Sequence, residues 1–506
     1  MGIVKKDALR TTLISYIGLV LGYINKAFLF ILFLTTVEIG LVNLLTTTGL
    51  LFAQLSNLGS IYVTWRFFPF FRNESKKHYG FLLFNVLIVC FGILLCSVLF
   101  WLFKAEIGAY FHDKSPLFNR YAWWVIPVGV GNVLFMLFEN HMRGLFKNIL
   151  PVFLQDIGLR VLTTILLVVY ALDYISFEVF LTVLMLSNML PALVLMGYLI
   201  YHQELHYSLK HITIPKRFRK IILSFSLFSY VNTLATMVVV TMDAVMIGGM
   251  IGLAATGIYT TMVQVTSAML IPFRAMTRVS SPIVAKLWKE KNMKGLQEIY
   301  QKSSGAGLFI GLLSFLGLWL PVHELFSFLK PEFSAGIPVL FFLLLGRVVD
   351  MYCGLNGIIF ATSRKYKYDL LFTVFLCAGI YVLNRLLIPR YGIAGVGFAT
   401  GFIFVFYNVS RSVYIYWAYR LNPFHWGHTK PLMVFLGVLG IYYVSVYFFP
   451  FYSDSTTIYK LLRIGCIESL VFIGFVVPVL RFNLEPEAAG YARSFMENIK
   501  RRYLTL

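Results

Sequence analysis

Long apolar runs separated by short polar segments dominate this sequence. A helix needs about 20 predominantly apolar residues to cross the hydrocarbon core of a bilayer, and about 14 runs reach that length. They lie near residues 12–33, 41–65, 80–103, 121–141, 152–171, 178–201, 221–248, 256–283, 304–321, 336–362, 369–388, 393–417, 432–450 and 459–480. The pattern predicts an all-α polytopic membrane protein with about 14 transmembrane helices.

Composition agrees with this prediction and removes several classes of function. The chain is 59% hydrophobic and 13% charged, whereas soluble domains carry about 25% charged residues. The polar segments are short, the longest near 103–120, 202–220 and 284–303, so none can fold as a separate soluble domain. No GxxxxGK[ST] motif is present, which argues against an ATPase. We therefore expect a transporter without catalytic residues.

The net charge of +21 has a topological explanation. With the N-terminus in the cytoplasm, most Lys and Arg residues outside the apolar runs fall in cytoplasmic segments, as the positive-inside rule requires. Basic runs such as 216–220 are then topology signals that can also touch anionic lipid. The pattern predicts a multi-pass protein of the bacterial cytoplasmic membrane with both termini cytoplasmic, and it excludes nucleic acid as a partner.

Two hairpins resemble each other at an offset of about 214 residues. Both begin with Ser-Tyr, at residues 15 and 229, and both reach a Gly-aliphatic pair, Gly40-Leu41 and Gly257-Ile258. Six runs separate them, so both halves have one orientation, as in transporters built from parallel repeats. We expect a six-helix lobe over 1–215, a second over 216–425, and two further helices with a basic tail over 426–506. The substrate would bind between the repeats.

Ionisable groups inside the apolar runs are costly and mark candidate sites. Arg274 and Arg278 lie one helical turn apart, and Arg66 occupies the related place of the first half. They fit an anion site, because guanidinium groups match phosphate oxygens. The alternatives are snorkelling to the headgroups for Arg278 and a flanking topology role for Arg66. Arg347 and Asp350 form either an intrahelical ion pair or a contact to substrate or coupling ion.

Further charges allow similar alternatives. Asp156 with Arg160, and Glu139 with Arg143, have helical ion-pair spacing. Arg385 and Arg411 are interpreted as interfacial anchors. Lys26 and Asp243 lie at similar depth in repeat-related helices, so they either form an ion pair across the lobes or find partners within their own lobes.

The stretch GIIFATSRKYKYDLLFTVFLCAGIYVLNRLLIPRYGIAGVGFAT (357–400) resembles a pattern of oligosaccharide flippases of the Wzx type, in the multidrug/oligosaccharidyl-lipid/polysaccharide (MOP) exporter superfamily. The matching positions are Leu386, Leu387, Ile388, Pro389, Tyr391, Gly392, Gly395, Ala399 and Thr400. Pro389 and Gly392 also predict a tight external turn. The opening VKKDALRTTLISYIGLVLGYI, and Asp243 followed by a Gly-containing loop and Gly257-Ile258-Tyr259, resemble the same family.

The resemblance implies a two-lobe transporter that moves undecaprenyl-diphosphate-linked oligosaccharides from the inner to the outer leaflet by alternating access, for surface polysaccharide assembly. Arg274, Arg278, Arg66 and Arg347 become candidate ligands of the diphosphate. Lys26, Asp243, Asp350, Asp156 and Glu139 become candidates for gating or ion coupling. The last two helices would offer a groove to the polyprenyl tail.

Cofactors and partners follow from this resemblance. We expect no cofactor, with coupling to an H⁺ or Na⁺ gradient, membrane lipids and polysaccharide polymerase machinery as partners, and a monomer. A lipid II flippase and a small-molecule/cation antiporter of the same superfamily are the alternatives, and a non-transporting scaffold is a third. Asn25 and Lys26 depart from the arginine and acid of the lipid II branch.

Overall fold

The computed structural model describes residues 2–73, 78–204, 216–365, 367–448, 456–486 and 490. Every regular element among them is helical. Twelve helices are long and apolar enough to cross a membrane, and the pair Leu253–Ser267 and Leu270–Lys289, bent by 50°, passes the same test together. One of the twelve, Lys367–Tyr419, contains a non-helical residue at Gly392. Its 53 residues would extend about 80 Å if straight, far more than one bilayer, so it supplies two crossings.

We number the resulting crossings α1 to α14, and they confirm the predicted all-α membrane fold. The first seven are α1 (Arg10–Phe33), α2 (Thr36–Ser56), α3 (His78–Leu102), α4 (Pro116–Gly144), α5 (Ile149–Ala171), α6 (Phe177–Tyr201) and α7 (Lys220–Met250). The others are α8 (Leu253–Ser267 with Leu270–Lys289), α9 (Met293–Trp319), α10 (Pro331–Tyr352), α11 (367–391), α12 (393–419), α13 (Trp426–Phe448) and α14 (Thr457–Arg481).

Two predicted boundaries are wrong because helices break or extend. The run 41–65 is divided at Gly59, whose φ is +80°, and a separate helix, Ser60–Phe71, follows. The predicted polar loop 284–303 is mostly helical, since α8 continues to Lys289 and α9 begins at Met293. Charged residues at these helix ends lower the hydropathy without ending the helix. The turn at Gly392 is confirmed, with φ +55° and ψ −137°, a conformation that glycine adopts readily.

The chain forms two compact units, Met1–Thr261 and Met262–Leu506. In the first, α2 packs on α3, α4 and α7. In the second, α10 packs on α9 and on the α11–α12 pair, and α13 and α14 pack on α9. The predicted lobes, 1–215 and 216–425, were defined by the repeat of helices in the sequence, and this division stays a prediction.

The repeat-related glycines make a reciprocal contact within the first unit. A Cβ atom on Gly40 would lie 1.9 Å from the carbonyl oxygen of Leu253, and a Cβ on Gly257 would lie 2.1 Å from that of Thr36. Each oxygen belongs to the residue four positions before the opposite glycine, so α2 and α8 cross with local two-fold symmetry. The Asn43 side chain also donates to Thr260 Oγ1 at 2.9 Å. Small residues allow this close approach of two membrane helices.

Candidate functional site

Charged side chains of α8, α10, α11 and α12 come together in the second unit. We call Arg274, Arg347, Asp350, Asp369 and Arg411 the unit-2 charge cluster. Asp350 lies at its centre and interacts electrostatically with Arg347, Arg411 and Arg274. The predicted ion pair of Arg347 and Asp350 is present but loose, with 3.8 Å between Nη1 and Oδ2. Helix geometry brings these two together, since side chains three residues apart share a face.

Arg411 is not an interfacial anchor, and that prediction is wrong. Its side chain is 8% exposed, and its Nη2 lies 2.7 Å from Oδ1 of Asp369. The guanidinium carbon also lies 4.8 Å from the ring centroid of Tyr407 and 5.6 Å from that of Phe360. Arg411 is therefore a buried cation held by a carboxylate from α11 and by aromatic faces.

Two asparagines that the sequence analysis did not select complete this region. Asn408 is buried and interacts with Asp350. Its Oδ1 accepts a hydrogen bond of 3.0 Å from the side chain of Asn356. The sequence signal that could have identified these two residues is an amide side chain inside an apolar run, because a buried polar group must find a hydrogen-bond partner.

Arg274 is the cation of the unit-2 charge cluster that keeps an exposed side chain. Three guanidinium groups face two carboxylates there, and Arg347 and Arg411 already form ion pairs with those carboxylates. Arg278, one turn further along α8, is also exposed and makes no ion pair or hydrogen bond with the described residues. The structure thus brings Arg274 and Arg347 into one group and leaves Arg278 outside it.

A second set of charges lies in the first unit, on α1, α4 and α5. We call Lys26, Glu139, Arg143, Asp156 and Arg160 the unit-1 charge cluster. The predicted helical ion pairs are both present, with 2.6 Å between Arg143 and Glu139 and 3.7 Å between Arg160 and Asp156. The two carboxylates also interact with each other.

Two π-helical turns shape this cluster. Ile24–Leu29 carries Lys26, and Leu154–Gly158 carries Asp156. The Asn25 side chain donates to the carbonyl oxygen of Arg160 at 2.7 Å and accepts from Thr164 Oγ1 at 2.7 Å. These bonds tie α1 to α5 where the regular helical pattern is interrupted. Such π turns occur frequently at functional positions, and nothing in the hydropathy pattern indicated them.

Asp156 and Lys26 have different surroundings. Asp156 accepts a hydrogen bond of 2.7 Å from Ser15 Oγ, in addition to its ion pair with Arg160. Lys26 is exposed and interacts with the like charge of Arg160. It forms no ion pair with a carboxylate in the described part of the chain. The unit-1 charge cluster therefore also holds three cations and two carboxylates, and Lys26 is the uncompensated one.

Of the two alternatives for Lys26 and Asp243, the ion pair between them is not present. Asp243 is buried in α7, and the hydroxyl of Tyr259 donates to its Oδ2 at 2.5 Å. Arg66 belongs to neither cluster. It is exposed, and its guanidinium carbon lies 4.2 Å from the ring centroid of Phe225.

Comparisons with known proteins find structures of similar fold but no protein of similar sequence. No protein-family model matches the chain, and no curated protein matches it in sequence. A lipid II flippase, MurJ, in an inward closed conformation is similar in structure with a TM-score of 0.69 and 15% identity over 94% of this chain and 99% of that chain. An inward-facing multidrug-resistance MATE transporter is similar with a TM-score of 0.64 and 14% identity over 79% of this chain and 94% of that chain.

The fold is that of MOP superfamily transporters. A further member, from Pyrococcus furiosus, matches with a TM-score of 0.55 and 15% identity over 82% of this chain and 96% of that chain. At these identities the likeness establishes the MOP fold alone. This likeness concerns the fold and not the residues of the two charge clusters.

Proposed function

We propose that this protein is a flippase for polyprenyl-diphosphate-linked oligosaccharides, which it moves from the inner to the outer leaflet of the bacterial cytoplasmic membrane for surface polysaccharide assembly. The observation that carries the proposal is the surplus of positive charge in both charge clusters. Lys26 and Arg274 remain after the carboxylates have been paired with arginines. An anionic headgroup supplies the missing counter-charge.

A diphosphate suits the unit-2 charge cluster in particular. Guanidinium groups bind phosphate oxygens through two parallel hydrogen bonds. Arg274 is exposed, and Arg347 is held to Asp350 only at 3.8 Å, so both have donors to offer. Arg411, held at 2.7 Å by Asp369, contributes long-range attraction instead of a direct contact.

The extent of the structural likeness supports a lipid-linked substrate. The MATE structure and the Pyrococcus transporter cover 79% and 82% of this chain, whereas the lipid II flippase covers 94%. The additional crossings α13 and α14 supply apolar surface that a polyprenyl tail can follow. The same coverage makes a lipid II flippase the second candidate function.

The proposed cycle needs no covalent step. The headgroup enters from the inner leaflet while the tail stays in lipid, and the protein alternates between inward-open and outward-open states. A membrane potential supplies about 2.3 kcal/mol per charge per 100 mV. Asp243, Asp350, Asp156 and Glu139 remain the proposed candidates for ion coupling.

Gene disruption with complementation tests the proposal. The disrupted strain would be complemented with wild-type protein, Arg274→Ala, Arg274→Lys or Arg385→Ala, the last being an exposed arginine outside both clusters. Surface polysaccharide would be quantified, and polyprenyl-linked material in lipid extracts identified by mass spectrometry. We expect Arg274→Ala to accumulate polyprenyl-diphosphate oligosaccharide and lose export, Arg274→Lys to recover part of it, and Arg385→Ala to behave as wild type.

The outcomes separate the candidates. Accumulation of lipid II in the disrupted strain would assign the second candidate function. Unchanged polysaccharide and no accumulated lipid-linked glycan would overturn both flippase functions. Full export by Arg274→Ala would remove the proposed diphosphate contact.

A further inference from the structure

A lysine surrounded by aromatic rings lies at one end of the α11–α12 pair. The Lys365 ammonium is 5.2 Å from the ring centroid of Trp417, 5.7 Å from that of Tyr414 and 5.9 Å from that of Tyr419. Its backbone N–H donates to Ser363 Oγ at 3.2 Å, which fixes the turn that presents it. The rings attract the cation through their faces and hold it at this position without neutralising it.

The charge around Lys365 is uncompensated. Arg364 and Lys367 flank it and are exposed. None of the three forms an ion pair with a carboxylate in the described residues, and Asp369, the next acid along the chain, is held by Arg411 at 2.7 Å. The patch therefore presents positive charge to a ligand from outside the chain.

An apolar groove begins at the same rings. It encloses about 580 Å³ and is lined by residues of α11 and α12, among them Phe372, Phe402 and Val413. Tyr414 and Trp417 belong both to this lining and to the aromatic surround of Lys365. From position 417 to 402 the groove follows α12 for roughly 22 Å, about three quarters of a hydrocarbon core of about 30 Å.

We propose that this surface is a binding site for a glycerophospholipid with an anionic headgroup. The headgroup phosphate lies against Lys365, Arg364 and Lys367, and one acyl chain occupies the groove between α11 and α12. The groove faces outward from the helix pair, with Trp417 68% and Val413 59% exposed, so a lipid reaches it laterally. The predicted topology puts this end at the cytoplasmic leaflet, whose surface is negative because of its anionic lipids.

The arrangement also predicts which lipid headgroup binds weakly. A choline headgroup carries its own cation, and the Lys365 ammonium already occupies the aromatic faces that would receive it. Phosphatidylglycerol brings one net negative charge and no cation. The site should therefore discriminate by headgroup charge, while an apolar groove without the lysine would not. This proposal is independent of the transported substrate.

Lipid titration of the purified full chain tests it. Delipidated protein in detergent would be titrated with phosphatidylglycerol or phosphatidylcholine, and bound lipid counted by native mass spectrometry. Wild type should prefer phosphatidylglycerol about fivefold or more, since a basic residue near an anionic lipid surface contributes about 1 kcal/mol. Lys365→Gln should remove about that factor, and Val413→Trp should weaken binding by filling the groove without changing the charge. Lys430→Gln, an exposed lysine at the start of α13, is the matched control.

Three results would overturn the proposal. Equal binding of both lipids would reduce the surface to an apolar groove. Equal losses in Lys365→Gln and Lys430→Gln would show general surface charge. Displacement of phosphatidylglycerol by stoichiometric undecaprenyl phosphate, with binding of both lost in Lys365→Gln, would assign the groove to the polyprenyl chain. Circular dichroism and gel filtration of each variant would exclude misfolding as the cause of a loss.

Discussion

Removing either partner of the Arg411–Asp369 ion pair should destabilise the protein, but by unequal amounts. Breaking a buried ion pair costs about 3–5 kcal/mol when an uncompensated charge is left behind. Arg411 is the one cation among the described residues that acts on Asp369, so Arg411→Met strands the carboxylate. We expect this variant to lose about 3–5 kcal/mol of unfolding free energy.

The reverse substitution leaves the cation better supported. After Asp369→Asn, Arg411 still interacts with Asp350 and still faces the rings of Tyr407 and Phe360. Cation–π contacts of a desolvated cation are worth up to about 2 kcal/mol. The loss should therefore be smaller, about 1–3 kcal/mol. Replacing both partners, as Arg411→Met with Asp369→Asn, should cost less than Arg411→Met alone, because no charge is stranded.

Unfolding of the purified variants in mixed micelles, followed by circular dichroism as the denaturing detergent fraction rises, measures these differences. Arg385→Met, at an exposed position of α11, controls for loss of a surface arginine. Equal losses in the two single variants would refute the asymmetry. A double variant as unstable as the sum of the singles would show that the two residues are not energetically coupled.

Two further predictions concern the first unit. Gly257→Ala should lower the free energy of unfolding by the ~1–3 kcal/mol typical of overpacking, because its Cβ would meet the Thr36 carbonyl oxygen. Gly197→Ala, with no atom within 4 Å of the added Cβ, should leave the free energy of unfolding unchanged or raise it. A harmless Gly257→Ala would contradict the close crossing. Lys26→Met should not destabilise the protein, because it removes an uncompensated charge beside Arg160, yet it should reduce glycan export. A variant that keeps full export would separate Lys26 from transport.

The sequence predicted the crossings well because hydropathy is a property of each segment. A run of about 20 apolar residues has few alternatives to a membrane helix, and the ion pairs Glu139–Arg143 and Asp156–Arg160 follow from helical spacing alone. Helix interruptions were less predictable. The division at Gly59 depends on the left-handed backbone of that residue and on its contact with Ser226 of α7, which hydropathy does not contain.

Contacts between residues far apart in sequence determine which charges lack a partner, and the sequence analysis missed these contacts. Ser15 reaches Asp156 across 141 positions, and Arg411 reaches Asp369 across a helical hairpin. A position near the end of an apolar run made Arg411 resemble an anchor, although the fold turns it inward. The nine candidate residues were chosen for being ionisable within an apolar run. Which of them carry a surplus charge depends on tertiary contacts that no local pattern encodes.

The pairing of charges bears on the sign of the ligand. In both clusters the carboxylates are held by arginines, so a cationic ligand would have to displace an arginine from an ion pair before it met a free carboxylate. An anionic ligand meets Lys26 or Arg274 without that exchange. Each cluster thus has one cation, Lys26 or Arg274, whose exposed side chain forms no ion pair with a carboxylate of the described residues. In the proposed function a headgroup with two phosphates would supply the counter-charge, and the pattern therefore favours that proposal over the alternative of a cation antiporter.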